Sequence, residues 1–208
     1  MDFATDGDQT HPHQVTWKDG DGRCGSINWE EVLPKGVELT IFDDVYYPSH
    51  RGVDSYHHWH EDIEDMAEMG FRVYRFSTCW FRIFPTGLED RPNEEGLAFY
   101  EDIVDDLLAH GIQPLITICH DEMSYELVKY YNGWGGRQTI DCYVKCARAL
   151  FERLGSKVKY WLTFNELNTI RGICMMGVMN QIWPVYWQTI HHMVVIFATV
   201  VAMGLPAV

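Results

Sequence analysis

Between residues 55 and 164 the sequence runs three times from a helical pattern, through a glycine, into a short apolar run. No other feature limits the fold as much. Tyr56–Met69 reads as a helix with Ile63, Met66 and Ala67 facing inward, and Gly70 stops it. Phe71–Ser77 (FRVYRFS) follows as a strand. Gly96–His110 places Tyr100, Ile103, Val104, Leu107 and Leu108 at helical spacing, Gly111 ends it, and Ile112–Ile118 (IQPLITI) is a strand. Arg137–Leu154 carries one stripe of Ile140, Tyr143, Val144, Ala147, Leu150, Phe151 and Leu154. Gly155 closes that helix before the strand Val158–Phe164 (VKYWLTF). The repeat length is about 40–45 residues, as consecutive helix–strand units require. The strands are apolar runs without clean alternation, as in parallel strands covered on both faces. An α/β fold follows, either a parallel barrel or a doubly wound sheet.

The rest of the chain reads differently. Residues 1–54 are rich in Gly, Asp, Pro and His with little periodicity. They are expected to be an irregular N-terminal segment with a short helix near Asn28–Leu33, preceding an α/β domain over 55–208. From Gly172 to Val208 there is no Asp, Glu, Lys or Arg. A membrane helix needs about 20 apolar residues. Pro206 and the pair His191–His192 shorten this run, so a buried helix is expected and membrane insertion is not.

Charge and cysteine usage exclude some classes of function. The formal net charge is -14, from 16 basic and 30 acidic residues. Phosphate backbones need a basic face, so nucleic acid is not a partner. No GxGxxG or GxxxxGK[ST] follows any strand, which leaves the usual nucleotide sites unsupported. The six cysteines, Cys24, Cys79, Cys119, Cys142, Cys146 and Cys174, form no CxxC pair and fit free thiols in a reducing cytoplasmic compartment. The first residues, MDFATDGDQTHPHQ, lack the basic start and apolar core of a signal peptide. No metal site and no cofactor are implied.

In parallel barrels the chemistry sits at the C-terminal ends of the strands. Those positions hold Ser77–Trp80 (with Arg75 just before), His120–Asp121–Glu122, and Asn165–Glu166. There is no nucleophile elbow and no HExxH helix. Carboxylates, amides and histidine read sugar hydroxyls, and cleavage of a glycosidic bond needs two carboxyl groups flanking it. Partial burial and a second carboxylate would raise the pKa of the one that must stay protonated.

Thr163–Phe164–Asn165–Glu166 (TFNE) resembles the acid/base motif of glycoside hydrolase family one, the retaining β-glucosidases and 6-phospho-β-glucosidases. YHHWHEDIEDMAEMGF, YRFSTCWFRIFPTG, NEEGLAFYEDIVDDLLAHGIQPLITICH, NGW and KVKYWLTFNE agree with that family in order and spacing, from about Ser49 to Asn168. The resemblance implies a partial TIM (β/α)8 barrel, roughly its first four βα units. It also implies roles. Glu166 would be the general acid/base. Asn165 would hold the sugar 2-hydroxyl, and His120 another glycone hydroxyl. Arg75 would sit beside the nucleophile and keep it ionised, Trp80 and Trp134 would wall the pocket, and Gln14 would be a remnant of the family's first-strand glutamine. Glu122–Met123, with Tyr125 and Leu127, resembles the 6-phospho branch, as do VLPKG and YYPSHRGVDSYH. Each residue also has an ordinary reading: Glu166 as a solvated carboxylate, His120 as a core histidine, Arg75 as an ion-pair partner, the two tryptophans as core. Asp121, Glu122 and His191–His192 read as structural or solvent-facing.

The sequence departs from the family in four places. A barrel of this type takes about 250 residues or more, against 208 here. No Thr/Ile-Glu-Asn-Gly nucleophile segment is present, the Glu-Gly of the first strand is missing, and in HDEMS Asp121 and Ser124 replace an aromatic and a proline. The expected function is that of a β-glycoside hydrolase homologue with a β-glucoside or 6-phospho-β-glucoside as ligand and little turnover. The alternative is a catalytically dead sugar-binding or assembly remnant. Exposed strand edges are expected to favour self-association.

Overall fold

The computed structural model describes residues 14–28, 31, 33–47, 50, 52–170, 176–179 and 182–204. Its first element corrects the expectation of an irregular N-terminus. β1 (Gln14–Asp19) pairs antiparallel with β2 (Cys24–Asn28) and with β3 (Val37–Leu39). The Asp19 carboxylate accepts from the N–H groups of Asp21 (3.0 Å) and Arg23 (2.8 Å), and Gly22 takes φ 82°, which closes the hairpin. Each strand alternates over too few residues to register as a pattern, and the Asp-Gly dipeptides were the stronger signal. Val15, Leu33 and Leu39 form a small core that reaches the rest of the molecule through Tyr125 and Met179. Tyr125 Oη accepts from the Leu39 N–H at 2.9 Å. The helix expected near Asn28–Leu33 starts on the last residue of β2, and residues 29, 30 and 32 lie outside the described residues.

The second sheet is the expected one. β4 (Val73–Ser77), β5 (Gln113–Cys119) and β6 (Tyr160–Phe164) are parallel and lie in the order β4-β5-β6. The helices are α1 (Ser55–Glu68), the short α2 (Trp80–Ile83), α3 (Glu94–Ala109), α4 (Tyr125–Tyr131), α5 (Gln138–Leu154) and α6 (Trp183–Gly204). A 3₁₀ turn at Gly133–Gly135 follows α4. Asn93 caps α3 by accepting from the Glu95 N–H, and Glu94 and Glu95 favour the positive end of its dipole. The left-handed φ of Gly70 (82°) and Gly111 (73°) turns the chain out of α1 and α3, where a side chain would be strained. The stripes read from sequence face the core. Leu97, Tyr100, Val104 and Leu107 of α3 and Tyr143, Ala147, Leu150 and Leu154 of α5 are buried.

Two expectations about extent are corrected. The parallel sheet has three strands among the described residues, where roughly four were expected, because Gln14–Asp19 joins the antiparallel sheet instead. β5 lies between the other two and is the most deeply buried strand of the three. β4 and β6 are the outer strands, and Val73 and Tyr160 at their starts are exposed. The C-terminal helix is likewise only half covered. Thr189, His192, Met193, Ile196 and Val200 of α6 face α5 and the core, while Trp183, Trp187, Val194, Phe197 and Val201 are exposed. A helix apolar all round needs cover on every side, and these residues cover one side. By length and composition alone α6 could cross a membrane. The buried His192 is satisfied by the Trp134 carbonyl (2.9 Å) and Gln188 (2.8 Å), which makes it structural as read.

Candidate active site

The parallel register places Ser77 opposite Thr117 and Cys119 opposite Phe164. The residues just past these strands therefore reach one level at one end of the sheet. The Asn165 N–H donates to the Cys119 carbonyl at 3.1 Å, which extends the ladder one step beyond β6 and fixes where its side chain starts. Arg75, on β4, reaches across the sheet. Its Nε donates to Thr117 Oγ1 at 3.0 Å and its NH2 group to Asn165 Oδ1 at 2.9 Å. Ser77 Oγ and His120 Nδ1 lie 3.1 Å apart. Four of the seven residues singled out from sequence, Arg75, His120, Asn165 and Glu166, thus converge on this end.

Glu166 opens a turn. The Thr169 N–H donates to its carbonyl (2.8 Å), and Thr169 Oγ1 donates to its carboxylate (3.0 Å). Its φ is 37°, unusual for a side chain of this size, and its carboxylate is solvent-exposed. Asp121, the residue after His120, also has a left-handed φ of 68°. Its side chain is 28% exposed, and Oδ2 lies 3.9 Å from His120 Nε2. Burial raises its pKa above the ordinary carboxylate value. The charge of Glu166 adds to that, while His120 and the polar side chain of Asn165 work against it. Asp121 was read as structural or solvent-facing and lies in this cluster, beside His120. Its place directly beyond a strand end was the signal available in the sequence.

The three remaining sequence candidates are elsewhere. Trp80 and Trp134 are each 1% exposed and stack on one another with centroids 5.7 Å apart. Tyr143 packs against both and Phe164 against Trp134, so they form the floor beneath the site and not its wall. Their flat apolar surface is spent on the core, as their ordinary reading had it. Gln14 begins β1 and pairs with Asn28, in the other sheet. Its side chain lies outside the described residues. Burial pushes the Cys79 thiol up to about 12 and the Cys119 thiol well above its usual value, so neither is a thiolate nucleophile near neutrality.

The cluster offers one exposed carboxyl group, an oriented amide, a histidine and an arginine, a set that can read hydroxyl groups and hand over a proton. A model of the family described as glycosyl hydrolase family 1 matches residues 17–203. Aryl-phospho-beta-D-glucosidase BglA of Bacillus subtilis (strain 168) is 42% identical over 184 residues, 83% of this chain and 38% of the relative. A 6-phospho-beta-glucosidase of Dickeya chrysanthemi is 47% identical over 183 residues, 84% of this chain and 39% of the relative. Among solved structures, the beta-glucosidase from Thermotoga maritima in complex with glucoimidazole aligns with a TM-score of 0.65 and 35% identity, over 72% of this chain and 34% of that one. The chain therefore spans less than half the length of these proteins.

Proposed function

Because the chain belongs to glycosyl hydrolase family 1, we propose that it carries the acid/base side of a retaining β-glycosidase site on part of a (β/α)8 barrel, with 6-phospho-β-glucosides as the substrate class. The observation that carries this is the Arg75–Asn165 hydrogen bond beside the Ser77–His120 pair, at the strand ends that also hold Glu166. Glu166 protonates the leaving glycosidic oxygen and later activates the attacking water. Asn165 holds the 2-hydroxyl, a contact that tightens as charge develops at the anomeric carbon, and His120 binds a second glycone hydroxyl. The 6-phospho assignment rests on Glu122–Met123 and on relatives named for phosphorylated glucosides. Free thiols at Cys24, Cys79, Cys119, Cys142 and Cys146 support a reducing, cytoplasmic setting.

A retaining mechanism also needs a nucleophilic carboxylate about 5–5.5 Å from the acid/base, and the 208 residues contain no Glu-Asn-Gly segment to supply it. A second reading, sugar binding without turnover, is favoured by the Arg75–Asn165 and Ser77–His120 contacts, which can orient hydroxyl groups without breaking a bond. Assay of the 208-residue chain with an aryl β-glucoside 6-phosphate decides between hydrolysis and binding alone. The expected result is binding with at most background hydrolysis. Hydrolysis at the rate of a full-length relative, abolished by Glu166→Gln, would overturn the single-carboxylate account.

A further inference from the structure

Among the described residues, Thr16, Thr78, Thr117, Thr139 and Thr189 are buried. The hydroxyls of Thr16, Thr78, Thr139 and Thr189 each donate to a main-chain carbonyl, at 2.6, 2.8, 2.6 and 2.9 Å. That is an ordinary way to satisfy a polar group inside a protein. Thr117 differs. Its Oγ1 accepts from Arg75 Nε at 3.0 Å, so a fully buried hydroxyl serves a side chain that ends at the candidate site. Thr117 lies in the middle strand, paired with Ser77 of β4 on one side and Leu162 of β6 on the other. Its branched Cβ restricts χ1. Sheet and side chain together hold Oγ1 in place. Arg75, by contrast, is exposed, and a long exposed side chain has many rotamers to choose from. The contact at Nε fixes the plane of its guanidinium, and the NH2 group then meets Asn165 Oδ1 at 2.9 Å. Arginine has only donors, so the amide oxygen faces it and the amide nitrogen is left for a ligand.

We propose that Thr117 is a positioning residue: its hydroxyl sets the plane of the Arg75 guanidinium, and Arg75 in turn sets the Asn165 amide. Thr117 itself touches no ligand. A sugar 2-oxygen meeting the Asn165 nitrogen would do so as an acceptor. That sugar contact rests on the proposed glycosidase reading; the relay from Thr117 through Arg75 to Asn165 does not.

Two measurements on the full 208-residue chain separate the relay from that reading. Valine keeps the branched shape of Thr117 without an acceptor, and serine keeps the acceptor. The first measurement needs no sugar: it follows solvent exchange of the Arg75 Nε–H by NMR. Exchange is expected to be slow in the wild type, about tenfold faster in Thr117→Val and slow again in Thr117→Ser. A wild-type Nε–H that exchanges as fast as that of a free arginine overturns the relay without any variant. So does a rate that Thr117→Val leaves unchanged. The second measures binding of p-nitrophenyl β-D-glucoside 6-phosphate and its 2-deoxy counterpart by calorimetry. Thr117→Val is expected to weaken the glucoside about fivefold, within the range of one oriented hydrogen bond. The 2-deoxy probe is expected to be unchanged, and Thr117→Ser to bind like the wild type. Equal losses for both probes, or a serine variant as weak as the valine one, overturn the positioning role. A wild type with a protected Nε–H that binds neither probe overturns the glycosidase reading and leaves the relay standing.

Discussion

The guanidinium of Arg75 bridges Thr117 and Asn165, joining the first strand of the parallel sheet to the residue just beyond the third. It ties all three strand ends together, so the charge assigned to a nucleophile also works as a brace. A lysine at 75 has a point-like ammonium and cannot hold both partners in the same fork. Arg75→Lys is expected to leave the melting temperature nearly unchanged, since exposed polar contacts contribute at most about 1 kcal/mol. It is expected to weaken glucoside binding severalfold. Paired thermal melts and calorimetry check this, and unchanged affinity would count against the brace.

Trp134 separates a core role from a sugar-contacting one. As a pocket wall, its removal would reduce ligand affinity with little change in stability. As a floor stacked on Trp80 and in contact with Tyr143 and Phe164, its replacement by alanine should destabilise the protein by about 3–5 kcal/mol. Urea unfolding measures this directly. A loss below about 1 kcal/mol, within the range of ordinary surface substitutions, would restore the wall reading.

His60 reports on the packing of α1 against α3. Its Nδ1 lies 2.8 Å from Asp106 Oδ2, and that hydrogen bond, then the Asp106 charge, raises its pKa above 6.5. A raised histidine stabilises fully below the unfolded value near 6.5, and the contribution fades as pH climbs through the folded value. An NMR titration of the ring should show a midpoint above 6.5, and Asp106→Asn should bring it down. A wild-type midpoint at or below 6.5 would contradict the geometry.

The outer face of α6 and β6 should make the isolated chain associate. Trp161, Leu162, Leu167, Val194, Phe197 and Val201 line one apolar groove, and β6 has no neighbour on its other edge among the described residues. Size-exclusion chromatography is expected to show species larger than a monomer. The double substitution Val194→Lys with Phe197→Lys should return the monomer with unchanged circular dichroism. A wild-type monomer at high concentration would refute the expectation.

The sequence was most readable where one segment decides its own structure. The stripes of α1, α3 and α5 and the glycines after them mark those helices within a few residues, and the apolar runs mark β4, β5 and β6. The antiparallel sheet was missed because Val15 and Trp17 are too few to show a period, and because its partner Val37–Leu39 lies far along the chain. At the site, position beyond a strand end identified Arg75, His120, Asn165 and Glu166. Burial could not be read the same way. Trp80 and Trp134 look identical in sequence whether they line a pocket or sit under it, and the rings of Tyr143 from α5 and Phe164 from β6, distant in the chain, are what bury them. Asp121 read as structural or solvent-facing because its left-handed backbone, which sets it beside His120, leaves no mark in the sequence.

The links that build the site have a kinetic meaning. Ser77 and His120 are 43 residues apart, and Arg75 and Asn165 are 90 apart. The helices between them can form from local contacts within microseconds, but each strand pairing must first close a long loop. Sugar-binding competence should therefore be the last property to return on refolding, trailing helical circular dichroism by the time β6 takes to dock. In a chain emerging from the ribosome, the site does not exist until the strand beside Asn165 has been synthesised and has found its place.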